Sequence, residues 1–191
     1  MTCIALYGGA FNPIGKHHID IANNLLKYNI VDEVWLVPCY VSMSKKQLII
    51  PEHRLQMCQI AIQCNNNPRI KLSDFEIKHK LIDSSYEIIK KMYQEMPDKK
   101  FFLLIGSDNA ININRWPNAE KLINEIPFIV VPRPNSPLDS DWCLKLPHYY
   151  LQDFPISSNS STEIRNKIND SNVVKLVNNE VLAYIKLYNL L

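Results

Sequence analysis

The chain has 191 residues, 47% of them hydrophobic and 21% charged, with a formal net charge of +2 at pH 7. That length and composition predict one soluble globular domain spanning residues 1–191, and no apolar run approaches the roughly 20 residues a membrane span needs. The small net charge and scattered Lys and Arg residues form no basic stripe, which sets aside nucleic acid as well as membrane as a partner.

The N-terminus enters an apolar run directly, without the basic flank, long apolar segment and cleavage site of a secretory signal, so a cytoplasmic location is expected. Cys3, Cys39, Cys58, Cys64 and Cys143 are odd in number and contain no C-x-x-C pair, which predicts buried thiols and no metal site. His53, His79 and His148 share no metal-ligand spacing and are expected to be structural.

In chain order, Thr2 to Tyr7 is a short apolar run closed by Gly8-Gly9, the pattern of a buried strand ending in a turn. Ile19, Ile21, Ala22, Leu25 and Leu26 then recur near helical spacing, giving a helix from about His17 or His18 to Tyr28. Val34 to Val37 is a second strand ended by Pro38, which has no N–H to donate. After a long loop, Pro51 suits a first helical position, and the apolar face from Leu55 extends that helix to about Cys64. Asn65-Asn66-Asn67-Pro68 stops it, and Ile70 to Leu72 is a third strand. Ser84 with Glu87 three residues on is a capping box that opens another helix. Phe101 to Ile105 runs into Gly106-Ser107-Asp108, repeating the opening strand-to-glycine pattern. Pro117 starts a short helix through Leu122, Phe128 to Val131 is a strand closed by Pro132-Arg133-Pro134, and His148 to Leu151 is a last short strand. Ser160 with Glu163 forms a second capping box, followed by two helices at about 161–169 and 174–189.

Continuously apolar strands alternating with helices predict an α/β fold: a doubly wound, mainly parallel sheet, Rossmann-like, with C-terminal helices. Ligands of such sheets lie past the carboxyl ends of the strands, so Gly8, Pro38, Gly106 and Pro132 should share one rim. Three of the four glycines, Gly8, Gly9 and Gly15, fall in one short stretch, as expected where backbone must take φ > 0 or approach a ligand. Gly9 to Lys16 is not a P-loop, because five residues separate Gly9 from Gly15 and His17 follows Lys16 where Ser or Thr is required. No G-x-G-x-x-G is present either.

Gly8-Gly9-Ala10-Phe11-Asn12-Pro13 resembles the G-G-x-F-x-P turn of the nucleotidyltransferase superfamily whose next helix opens with H-x-G-H. His18 falls on the second histidine of that motif; Gly15 stands where the first would be, and His17 replaces the small residue. Gly106-Ser107-Asp108 with Trp116, Val131-Pro132-Arg133-Pro134, and Ser160-Ser161-Thr162-Glu163-Ile164-Arg165 narrow the resemblance to nicotinate mononucleotide adenylyltransferases. The match covers nearly the whole chain in order. It departs in the loop Val41 to Lys46, where the family often has a proline-rich segment with His-Lys.

The resemblance implies adenylyl transfer from ATP to nicotinate mononucleotide, releasing pyrophosphate in NAD biosynthesis. Nicotinamide mononucleotide is the alternative substrate, and a weak ATP-binding protein, disabled by the altered motif, is the alternative class. ATP would be held by Gly8, Gly9, Ala10, Phe11, Gly15, His18, Gly106, Asp108, Ser161, Thr162 and Arg165. His18 and Arg165 would carry catalysis, the first as a donor to the α-phosphate and the second as a bidentate grip on the β- and γ-phosphates. Lys16 or His17 would supply the charge of the missing first histidine. Tyr86, Trp116, Lys46 and Arg133 would hold the mononucleotide, with Trp116 stacked on the pyridine ring. Mg²⁺ would accompany ATP without a dedicated carboxylate cage. A homo-oligomer is left open. Read without the resemblance, His18 is a polar helix start, Asp108 a cap for the next helix, Trp116 a core aromatic, and Ser160 with Glu163 a capping box.

Overall fold

The computed structural model describes residues 1–41, 48–138, 141–155 and 158–191. Six strands form one sheet: β1 (Thr2–Gly9), β2 (Glu33–Pro38), β3 (Ile70–Leu72), β4 (Lys99–Gly106), β5 (Phe128–Val131) and β6 (Tyr149–Tyr150). They lie in the order β3-β2-β1-β4-β5-β6, and every pairing is parallel. The order reverses direction between β1 and β4, which is where a doubly wound sheet leaves a crevice at its carboxyl edge. Pairing of Gly9 with Pro38 and of Gly106 with Val131 brings the expected strand ends to that one edge.

Strand residues alternate between two cores because successive side chains point to opposite faces. Ile4 and Leu6 join Phe101, Leu103, Phe128 and Val130 on one face. Ala5, Tyr7, Phe102, Leu104 and Ile129 face the other. Helices α1 (Lys16–Leu26), α2 (Pro51–Asn65) and α8 (Asn179–Leu187) cover the second core, and α4 (Ser85–Glu95) and α6 (Ala119–Glu125) cover the first. Burying each large apolar side chain contributes about 1.5–3 kcal/mol, so the double-sided sheet is the main source of stability.

Several short elements lie outside the sequence expectation. A single helical turn, α3 (Phe75–Lys78), follows β3, and Ser107 continues into a short helix, α5 (Ser107–Ile111), instead of a turn. The C-terminal pair divides into α7 (Ser161–Asn166), a 3₁₀ turn at Ser171–Lys175, and α8. The interruption follows from local competition: Asp170 accepts the Asn172 N–H at 2.7 Å, and Asn178, with extended φ and ψ, restarts the helix. The short helix predicted from Pro117 starts at Ala119, after Asn118 takes a left-handed conformation.

One buried cation fixes the edge of the sheet. Arg54 on α2 is 0% exposed. Its Nε donates to Ile49 O at 2.8 Å, Nη1 to Ala10 O at 2.9 Å, and Nη2 to Cys39 O at 2.6 Å and Tyr40 O at 3.0 Å. The Ile49 N–H in turn donates to Asn12 Oδ1 at 2.9 Å. Both ends of the β2–α2 connection are thereby tied to the turn after β1. Replacing Arg54 with Leu keeps apolar volume but leaves these carbonyls unpaired, and should lower the unfolding free energy by about 3–5 kcal/mol. A urea midpoint that does not move would refute this role.

Candidate active site

Between the ends of β1 and β4 lies a cleft of 440 Å³, walled by Tyr7 to Phe11, His18, Gly106, Trp116, Arg133 and Ser161 among others. A second cavity of 360 Å³ adjoins it, sharing His18, Arg133 and Ser161 and adding His17, Asp108 and Ser160. The starts of α1 and α7 meet here. Ser161 Oγ donates to Pro13 O at 2.8 Å, and Ile164 closes over Gly15.

Glycine serves this site through space and not through φ. No glycine has positive φ, whereas Phe11 does, at 45°. For a phenylalanine that left-handed conformation is strained by about 1–2 kcal/mol. A Cβ on Gly106 would stand 2.4 Å from Asp108 Oδ1 and 2.8 Å from Arg133 Cγ, so the glycine lets this acid and base close over the strand end. Arg133 Nε lies 3.9 Å from Asp108 Oδ1, and the Arg133 N–H donates to Ser107 Oγ at 2.9 Å. Tyr7 has its hydroxyl buried near Arg133 but outside hydrogen-bond geometry; burial pushes its pKa up to about 12 against the pull of Arg133.

His18, the third residue of α1, takes the place of the acidic partner in a capping box: its Nδ1 accepts the Gly15 N–H at 3.0 Å. Nδ1 therefore carries no proton, and Nε2 is the nitrogen left to meet a ligand. Burial, helped by neighbouring His17 and Arg133, holds the His18 pKa well below its ordinary value, so the ring is neutral at pH 7.

His17 packs against His18 with ring centroids 3.9 Å apart and planes tilted by 38°, and it is 3% exposed. Its Nδ1 is buried without a hydrogen-bond partner. A Cβ on residue 15 would come within 2.7 Å of that atom and 2.6 Å of Ile164 Cδ1. The two departures from H-x-G-H are thus one exchange: the ring at 17 fills the space that a side chain at 15 would enter.

Other expected site residues lie elsewhere. Lys16 turns from the cleft to the C-terminal segment, its Nζ donating to Val174 O at 2.7 Å and its N–H to Leu176 O at 2.8 Å. Tyr86 is buried under α6, where its hydroxyl donates to the Glu125 carboxylate at 2.9 Å; the adjacent Ser85 lines the cleft instead. Arg165 braces the turn after β1, with Nη1 donating to Asn12 O at 2.6 Å and Nη2 to Thr162 Oγ1 at 2.9 Å. A grip on phosphate requires it to leave both. Lys46 lies outside the described residues. Glu76, on α3, lines the cleft without having been singled out, because a single helical turn leaves no periodic signal.

Residues 6–167 match the family model described as cytidylyltransferase-like. A probable nicotinate-nucleotide adenylyltransferase of Bacteroides fragilis is 34% identical over 166 residues, covering 86% of this chain and 81% of that protein. The chain belongs to this nicotinate-nucleotide adenylyltransferase family. The solved structure of Plasmodium falciparum nicotinic acid mononucleotide adenylyltransferase complexed with NaAD superposes with a TM-score of 0.82 at 28% identity, covering 100% of this chain and 97% of that one. The same enzyme complexed with APC superposes at 0.81 with 30% identity and the same coverage.

The exchange at residues 15 and 17 makes a double-variant prediction. Gly15→His alone should overpack the site and cost about 2–3 kcal/mol, and His17→Gly alone should cost as much through the void, whereas the pair together should recover most of the loss. Additive losses in thermal unfolding would disprove the exchange. Burial also lowers the His17 pKa to about 4, from 6.5 in a free ring. The unfolded chain therefore binds this proton first as pH falls, so stability is lost below about pH 6.5 and levels off near pH 4, by about 3 kcal/mol. His17→Phe should remove that part of the acid loss; an unchanged pH profile of stability would contradict it.

Proposed function

We propose that the protein transfers the adenylyl group of ATP to nicotinate mononucleotide, forming the dinucleotide and pyrophosphate, and that residues 1–191 work as one domain. The observation that carries this reading is the convergence of the β1 turn, His18, Arg133, the α7 start and Trp116 on one cleft. Family membership supports it.

A phosphate oxygen of the mononucleotide attacks the α-phosphorus of ATP, and the bond to the bridging oxygen of the β-phosphate breaks. The attacking phosphate needs no general base, since its second pKa is about 6 and it is mostly dianionic at pH 7. Positioning and charge neutralisation are what remain to be supplied. His18 donates from Nε2–H to the α-phosphate as a neutral ring. Arg133, lining both cavities, neutralises charge between the two substrates, and Asp108 faces the adenosine side. The first N–H groups of α7, at Ser161 and Thr162, have no intrahelical acceptor and suit the outer phosphates. Arg165 shapes the β1 turn from behind. Trp116 supplies the flat apolar wall for the pyridine ring.

Among the described residues no group of three His, Cys, Asp or Glu side chains is arranged to hold a metal. Mg²⁺ would accompany the ATP, and Asp108, which lines the adjoining cavity, is the carboxylate that would face it. The ion would offset phosphate charge.

Incubation with Mg-ATP and nicotinate mononucleotide should release pyrophosphate, and His18→Ala should lower kcat about 10²- to 10³-fold with little change in melting temperature. ATP binding without pyrophosphate release from either pyridine mononucleotide would instead mark a binding protein.

A further inference from the structure

Glu76 supplies the one carboxyl side chain among the described residues lining the 440 Å³ cleft. Its Oε2 faces the Tyr40 N–H at a long 3.4 Å. The side chain is partly buried and lines the cleft. Among the described residues, the charged and titratable groups facing it from packed elements are the Arg54 guanidinium of α2 and the Cys39 thiol of the β2–α2 connection. His79 on its own helix turns away to Glu95 at 3.5 Å. Burial outweighs the pull of the Tyr40 N–H and of Arg54, and brings the carboxyl to about 7.

The bound orientation follows from the reaction. The mononucleotide must bring its phosphate to the end of the cleft formed by Gly8 to Phe11 and His18, which turns its ring toward Trp116 and Ser85 in the cleft that Glu76 also lines. The starts of α4 and α6 lie on the ring's side, joined by Asn118 Nδ2 donating to Ser84 Oγ at 3.2 Å. The ring carries the single group in which nicotinate and nicotinamide differ.

We propose that Glu76 sets the preference between a carboxylate and a carboxamide on the pyridine ring, an inference that rests on the adenylyltransferase reading. As a carboxylate it repels the ring carboxylate and accepts from a carboxamide N–H. As a carboxylic acid it donates to the ring carboxylate.

The test is the ratio of kcat/KM for nicotinate over nicotinamide mononucleotide, measured from about pH 6 to about pH 8.5. Effects on ATP, Mg²⁺ and the phosphate are common to both substrates and cancel. The ratio should fall about tenfold over this range, as expected of a like charge a few ångströms away. In Glu76→Gln it should stay flat, and in Glu76→Asp a slope should return. A Glu76→Gln variant that keeps the native slope overturns the proposal, as does one that loses both substrates equally along with its melting temperature. Absence of pyrophosphate release from both substrates overturns the adenylyltransferase reading instead. Calorimetric titration with each mononucleotide then tests Glu76 alone: the ratio of affinities should fall with pH in the native protein and not in Glu76→Gln, and equal slopes refute it.

Discussion

A full positive charge sits inside the fold at Arg54, with four hydrogen bonds to backbone carbonyls and a longer one to Cys39 Sγ. Burying an isolated cation is prohibitively costly, so the surrounding chain must present oxygens to it. Four carbonyls do so, and they come from the β1 turn and from both ends of the β2–α2 connection. This makes the guanidinium a constraint on three segments at once, since moving any of them strands a carbonyl or a donor. Neutral carbonyls satisfy the hydrogen bonds without cancelling the charge. Glu76, the carboxyl that feels it across the Cys39–Tyr40 turn, is itself poised between charge states. The cleft edge is thus mechanically fixed and electrically adjustable, and these two properties come from different residues.

Steric exchange governs the opposite wall. Gly15 and His17 cannot be understood singly, because the ring of one occupies the space denied to the other. The exchange preserves what the start of α1 needs, which is His18 held in one orientation by the Gly15 N–H. Contact of His17 with His18 completes this wall, and burial lowers the pKa of both rings. A neutral donor costs less to bury than an imidazolium and still gains strength when a phosphate approaches.

Elements with long apolar runs and capping signals could be read directly from the chain. Ser84 and Ser160 both accept from the third residue of their helices, as the capping pattern requires. Parallel pairing and the shared rim followed from continuously apolar strands ending at Gly8, Pro38 and Gly106. What escaped reading was short or long-range. Helix α3 has four residues and no period to detect. The glycines promised positive φ, yet five of the seven described residues with positive φ are asparagines, whose short polar side chains tolerate that region. Lys16 and Tyr86 stood at suggestive places in the sequence, but direction around a helix decided their partners: Val174 O for one and Glu125 for the other. Buried Arg54 was invisible because a lone arginine within a helix has no local mark of burial.

The C-terminal segment has a consequence for anion binding at α1. A helix start attracts phosphate because its first N–H groups lack partners. Here Leu176 O already accepts the Lys16 N–H, so part of that capacity is spent on holding the 3₁₀ turn against α1. The work of neutralising phosphate therefore shifts to side chains, chiefly His18 and Arg133, and to the start of α7, which the Ser161–Pro13 bond brings to the same turn. Residues more than a hundred positions apart must dock before any of these groups face one another. The catalytic surface is consequently a product of the complete fold: loosening the C-terminal segment would change both the wall beside His18 and the angle at which α7 meets it.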